Sequence, residues 1–107
     1  MGRAKRIIPE GLPSKLKIIR ERWGLSLDAM SARLEQVLSE MGHPELRLYS
    51  GNIYEFEQGV REPMLPILAA YAQLANVYID ALIFKEFELP EELPSQQKSE
   101  GVRRLET

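Results

Sequence analysis

Apolar residues recur every three or four positions over most of this chain, in runs separated by glycine and proline. Such spacing places apolar side chains on one face of an α-helix. In the first run, Leu16, Ile19 and Trp23 predict a helix that has Ser14 as its N-cap and ends at Gly24. The pattern predicts an all-α fold.

Two further runs predict a second and a third helix. The second begins after Ser26, a favourable N-cap residue, and ends near Gly42. The third is short and occupies residues 50–58, where Ile53 and Phe56 lie one turn apart on the side that we expect to be buried. We expect Ser50 to cap this helix and Gly59 to end it.

Two more helices follow Pro63. The fourth has Pro66 in its first turn, where a missing N–H costs little, and Asn76 is a suitable left-handed stop. Residues 77–83 predict a fifth, short helix that closes the core.

The chain divides into four predicted segments. Residues 1–13 lack apolar periodicity and form a basic N-terminal arm, and residues 14–84 hold the helices. In residues 85–94, apolar residues alternate with acids and prolines, which predicts either an edge strand or an acidic extended arm. Residues 95–107 are polar, and we expect them to be disordered.

Composition limits the class of protein. The chain has no cysteine, which excludes disulfides and thiolate metal sites and suits a reducing compartment. No apolar segment follows the basic start, and no run approaches the roughly 18 apolar residues of a membrane span. We therefore expect a cytoplasmic protein that is neither secreted nor inserted in a membrane.

Charge is distributed unevenly, although the formal net charge is only -2. Basic residues dominate up to Arg22, and acidic residues dominate between residues 50 and 93. A polyanion would therefore bind near the N-terminal end.

Three motifs in order carry a resemblance to a known family. They read Ile-Arg-Glu-Arg-Trp-Gly-Leu-Ser-Leu-Asp-Ala-Met-Ser, then Ile-Tyr-Glu-Phe-Glu-Gln-Gly-Val-Arg-Glu-Pro, then Leu-Pro-Ile-Leu with a closing Ile-Asp-Ala-Leu. Residues 14–83 resemble the Cro/repressor-type (XRE-like) helix-turn-helix family of bacterial and phage DNA-binding regulators. The resemblance implies a five-helix lambda-repressor-like helix-turn-helix bundle, to which the alternating arm adds a short extended C-terminal segment.

The resemblance also implies a function. The chain would bind specific double-stranded DNA as a homodimer and act as a transcriptional regulator, most simply a repressor, with the helix near 50–58 in the major groove. Ile53 and Phe56 would anchor that helix, and Glu57 would pair with a basic residue of the first helix. Outward side chains of an inserted helix read base edges, whereas backbone contacts set its register.

The predicted DNA contacts come from the resemblance and from the charge pattern. The third helix would present its outward side chains to the groove, Gln58 and Arg61 would contact phosphates, and the basic arm would follow the DNA backbone or enter the minor groove. The full predicted set is Ser50, Gly51, Asn52, Tyr54, Glu55, Gln58, Arg61, Tyr49, Ser26, Arg3, Lys5 and Arg6.

The chain departs from the family pattern at three places. Leu27 stands where the family often has Gln, and Val60 stands where it often has Lys. The short turn before the third helix is replaced by an insertion that ends near Tyr49. We expect the packing angle of the third helix to be preserved, because the core positions on both sides are retained.

Other readings follow from the same residues. The main alternative is a protein-interaction module, such as an antitoxin-like partner-binding protein, whose acidic half docks a basic partner. An enzyme, a cofactor or a metal site is not expected, because His43 is the single histidine and Glu91 and Glu92 point apart as neighbours. Phe84, Phe87 and Leu89 either fold back onto their own domain or form a dimer contact.

Overall fold

The amphipathic segments fold as helices in the computed structural model of the protein, which describes residues 8–98 and 101–103. The elements are α1 (Leu12–Arg22), α2 (Leu27–Glu40), α3 (Ser50–Glu57), α4 (Leu65–Ala75), α5 (Asp80–Ile83), β1 (Phe87–Glu88) and β2 (Val102–Arg103). The chain is a small all-α bundle, as its periodicity predicts.

Helix α1 begins earlier than its sequence suggested. The N-cap is Gly11 and not Ser14, and Pro13 lies in the first turn, where it has no hydrogen bond to lose. The hydroxyl of Ser14 instead donates to the carbonyl oxygen of Gly11 at 3.1 Å. Leu12, which we predicted to lie in the arm, is fully buried in the core.

Helix α2 follows its prediction closely. Ser26 is the N-cap and its Oγ accepts the N–H of Ala29 at 3.1 Å. Beyond the helix end, the N–H of His43 donates to the carbonyl oxygen of Leu38 at 2.8 Å, which closes the last turn. The segment 41–49, which we call the connector, then leads to α3.

The core lies where α2 meets α3 and α4 and where α1 meets α3. Its fully buried large side chains are Tyr71, Leu12, Leu16, Ile19, Met30, Leu34, Leu38, Ile53, Leu82 and Val77. Each such aliphatic side chain contributes about 1.5–3 kcal/mol to folding by leaving water. Asn76 ends α4 in the left-handed conformation, as predicted.

The C-terminal segment is partly structured, which corrects the prediction of a disordered tail. Val102–Arg103 pairs antiparallel with Phe87–Glu88 in the predicted extended arm. Ser95 donates its N–H to the carbonyl oxygen of Ala75 at 3.0 Å and its hydroxyl to that of Asn76 at 2.7 Å. These contacts form because the end of α4 leaves carbonyl groups without helical partners and β1 leaves an open edge.

Candidate nucleic-acid interface

Helix α3 is fixed to the bundle along one side. Ile53 is fully buried, Phe56 is 3% exposed, and the carboxylate of Glu57 is buried beside them. Arg20 of α1 donates through Nε to Glu57 Oε2 at 2.7 Å and through Nη2 to Glu57 Oε1 at 3.0 Å. The hydrogen bond to Glu57 raises the pKa of Arg20 above its ordinary value. The predicted pairing of Glu57 with the first helix is confirmed.

The opposite side of α3 faces solvent. Gly51, Tyr54, Glu55 and Gln58 follow the i, i+3, i+4, i+7 spacing that places residues on one helical face. Gly51 and Gln58 are exposed, Tyr54 is 54% exposed, and Glu55 is half-buried. This set of four residues, the outer face of α3, forms a ridge of one helix.

Gly51 lies on this outer face without any steric requirement from its own subunit. A Cβ atom added there would meet nothing within 4 Å. Glycine in the middle of a helix costs roughly 0.5–1 kcal/mol relative to alanine, and the cost is smaller in the first turn, where Gly51 lies. Gly51 is therefore a mildly destabilising residue on the exposed side of α3 that packing within the subunit does not explain.

The start of α3 differs from the prediction. Tyr49 is the N-cap, and Ser50, the predicted cap, is the first helical residue. The reason is that Asn52 Oδ1 accepts the N–H of Tyr49 at 2.9 Å, which stabilises a start one residue earlier. Asn52 is half-buried and its oxygen is engaged at the cap, whereas Tyr49 is 68% exposed.

Two exposed arginines lie beside α3. Arg47 of the connector and Arg61, which follows the helix, line one groove of about 270 Å³ together with Asn52 and Glu62. The side chains of Arg47 and Arg61 are 65% and 62% exposed. Arg61 Nε lies 3.6 Å from Glu55 Oε1, so the acid of the outer face is partly neutralised by this arginine.

Three of the four basic residues of α1 are engaged within the bundle, and only Lys17 among them is exposed without such a contact in the described part of the chain. Lys15 is 6% exposed, and its Nζ donates to the carbonyl oxygens of Ala81 at 2.8 Å and Phe84 at 2.9 Å. Arg20 is held by Glu57, and Arg22 donates to the carbonyl oxygen of Glu91. These three cations stabilise the bundle itself, because each lies next to a carbonyl or carboxylate of another element.

The remaining predicted contacts fall outside this surface or outside the described residues. Ser26 is exposed, but its Oγ is engaged as the cap of α2. Arg3, Lys5 and Arg6 lie outside the described residues, so the predicted role of the basic arm stays a prediction.

Arg47 is the residue that sequence reasoning missed. It lies between Leu46, which packs against the core, and Leu48, which is 5% exposed. Side chains of an extended segment alternate between two sides, so two inward leucines direct the residue between them outward. The Leu-Arg-Leu pattern in the insertion was the signal.

The described residues were also compared with the requirements of a metal site and of a membrane span. Among residues 8–98 and 101–103, no group of three or more His, Cys, Asp or Glu side chains is arranged to hold a metal ion. His43 Nδ1 lies 3.6 Å from Glu45 Oε1 on the surface. In the part of the chain that the structure describes, no helix has the length and apolar character needed to cross a membrane.

No protein-family model, curated protein or solved structure matches this chain. Membership of the Cro/repressor-type family therefore stays a prediction from the three motifs.

Proposed function

We propose that this protein binds specific double-stranded DNA as a homodimer, with α3 in the major groove, and regulates transcription in the cytoplasm by occupying an operator. The observation that carries the proposal is the outer face of α3, which is open to solvent and lies next to a groove lined by two exposed arginines, Arg47 and Arg61. A major groove admits one α-helix, and phosphates on its rims attract guanidinium groups.

The residues of the outer face have distinct roles in this proposal. Tyr54 and Gln58 contact base edges or the neighbouring backbone, and Glu55 accepts a hydrogen bond from the N4 amino group of cytosine. Gly51 lets the backbone of α3 approach the groove closely. Arg61 binds a phosphate, which sets the register of the helix.

Acidic residues limit the strength of non-specific binding. Glu55 and Glu62 lie beside the two arginines and repel phosphates. Affinity therefore depends on a few well-placed phosphate contacts together with base contacts, and it falls steeply as salt rises. A homodimer doubles these contacts and requires a palindromic site with half-sites about one helical turn apart.

The dimer contact is proposed at the C-terminal side of the bundle. Phe84 is 43% exposed and meets Phe87 edge to face, with ring centroids 6.5 Å apart. Leu89, by contrast, packs against the core of its own chain. An exposed aromatic next to a two-stranded sheet is suited to a two-fold contact, because aromatic rings bury much apolar area.

Binding to a fluorescent duplex of about three helical turns at low salt tests the proposal. The wild-type chain is expected to bind, and Arg61→Ala is expected to bind at least about threefold more weakly because it loses a phosphate contact. Lys98→Ala is a matched control, since Lys98 lies over the ring of Tyr78, beyond the C-terminal end of α4. Equal binding by all three, or no binding by the wild-type chain, contradicts the proposal.

A specific observation also favours the alternative of a protein-interaction module. Val60, Met64 and Leu65 are 66%, 54% and 69% exposed and follow α3 in the chain. Three exposed apolar side chains within six positions of the chain favour a protein contact. On this alternative the chain does not bind duplex DNA at any salt concentration, and changing these three residues to serine abolishes association with a protein partner recovered by cross-linking.

A further inference from the structure

We propose that the connector is a second DNA-contacting element, in which Arg47 binds a backbone phosphate next to the phosphate that Arg61 binds. This inference rests on the proposed function and extends its contact surface beyond α3. It assigns a role to the insertion that separates this chain from the family pattern.

The connector is firmly attached to the bundle. The N–H of Leu48 donates to Glu35 Oε2 of α2 at 2.8 Å, and the side chain of Leu48 is buried in the core. Leu46 packs against the same core. Because both flanking leucines and one backbone N–H are fixed, the backbone at Arg47 is held in place next to α3 before any partner arrives. A fixed backbone reduces the entropy lost when a side chain binds.

The side chain of Arg47 is oriented but largely open to solvent. Its Nη1 donates to the carbonyl oxygen of Pro44 at 3.1 Å and lies 3.8 Å from Glu35 Oε1. A guanidinium carries five N–H donors, and the carbonyl of Pro44 uses one of them. With the side chain 65% exposed, the fork-shaped group can still bind a phosphate through two parallel hydrogen bonds.

The two arginines of the groove attract a phosphate, and the Glu62 carboxylate in the same lining opposes it. Arg47 and Arg61 line the groove from two different segments of the chain, the connector and the turn after α3. Two cations beside one inserted helix match the negatively charged backbone that borders a major groove. An insertion that only bulged away from the bundle would not bring a cation to this groove.

The salt dependence of binding separates a phosphate contact from a structural role. For the full chain and the duplex it binds best, the slope of log affinity against log salt is measured for wild type, Arg47→Ala, Arg47→Lys and Lys98→Ala. Each lost phosphate contact lowers the magnitude of the slope by about 0.9. For Arg47→Ala we expect the slope to shrink by this amount and binding to be about threefold weaker at moderate salt. For Arg47→Lys and Lys98→Ala we expect the slope of the wild-type chain.

The outcomes are distinguishable. If the wild-type chain binds and Arg47→Ala has the slope of Lys98→Ala, the role of Arg47 is wrong and the proposed function stands. If Arg47→Ala binds more weakly but its slope is unchanged, Arg47 only stabilises the position of the connector. That result also overturns the inference. If the wild-type chain does not bind duplex DNA, the proposed function fails and the inference fails with it.

Discussion

Arg20 and Glu57 join the first helix to the helix that carries the candidate interface, through two hydrogen bonds of 2.7 and 3.0 Å. The side chain of Glu57 is 3% exposed and that of Arg20 is 17% exposed, so the pair is largely removed from water. The orientation of α3 depends on this pair together with the burial of Ile53 and Phe56.

Breaking this pair from one side is expected to destabilise the bundle strongly. Arg20→Leu leaves the Glu57 carboxylate buried without its partner and should lower the free energy of unfolding by about 2–4 kcal/mol. The double variant Arg20→Leu with Glu57→Leu should recover much of that loss, because no charge is left buried. Urea unfolding measures both, and a double variant as unstable as the single one contradicts the account.

Gly51→Ala is expected to move stability and DNA binding in opposite directions. Alanine should raise the free energy of unfolding by up to about 0.5 kcal/mol, since Gly51 lies in the first turn of α3 and its Cβ would meet nothing. The added methyl group should weaken duplex binding about tenfold or more by holding the backbone away from the groove. Ser39→Ala, in the exposed last turn of α2, is the control and should leave binding unchanged. Unchanged binding by Gly51→Ala excludes a close approach at this point.

Glu55→Gln is expected to increase binding to random duplexes and to reduce selectivity. The substitution removes a negative charge that lies 3.6 Å from Arg61 and repels phosphates. Affinity for random duplex should rise about two- to fivefold at low salt, while preference for the selected sequence falls. Competition between the selected duplex and a random duplex measures the ratio of the two affinities. An unchanged ratio in Glu55→Gln would show that Glu55 does not contact a base.

Tyr71 predicts a pH dependence of stability. Burial, aided by the nearby Glu57 carboxylate, raises the pKa of Tyr71 above its ordinary value of 10.0. Below pH 10 the Tyr71 hydroxyl keeps its proton in both the folded and the unfolded chain, so this group leaves the free energy of unfolding independent of pH. Above pH 10 the unfolded chain releases the proton first, and stability falls by about 1.4 kcal/mol per pH unit from this group.

Tyr71→Phe isolates that effect. Within residues 8–98 and 101–103 the buried hydroxyl has no hydrogen-bond partner, so its removal should leave stability at pH 7 unchanged or raise it by about 1 kcal/mol. The alkaline loss of stability, measured by urea unfolding between pH 8 and about pH 11, should become shallower. Tyr78→Phe, at an exposed site, should not change it. An equal slope for Tyr71→Phe and wild type contradicts this prediction.

Periodicity predicted the helices well because each one is decided by its own apolar face. Ile53 and Phe56 identified the buried side of α3, and Ser26 and Asn76 identified helix ends. Ser14 and Ser50 were wrong as caps, because α1 and α3 begin earlier than predicted. The Glu57 pairing was predicted only through the resemblance.

Contacts between distant segments were predicted less well. The basic residues up to Arg22 were expected to attract a polyanion, yet Lys15 is buried because carbonyl groups more than sixty positions away accept hydrogen bonds from its ammonium group. The tail was expected to be disordered because it is polar. Its composition does not reveal that β1 has an open edge with which the tail can pair. Arg47 was overlooked because an insertion has no family position to compare it with, and its place beside Arg61 depends on how the connector packs.

Selection of bound duplexes from a random pool tests the central claim most directly. The full chain is expected to recover a palindromic site whose half-sites are about one helical turn apart, with enrichment lost in Arg61→Ala. Recovery of no enriched sequence by the wild-type chain, at any salt concentration low enough for duplex binding, would contradict the proposal that the outer face of α3 reads DNA.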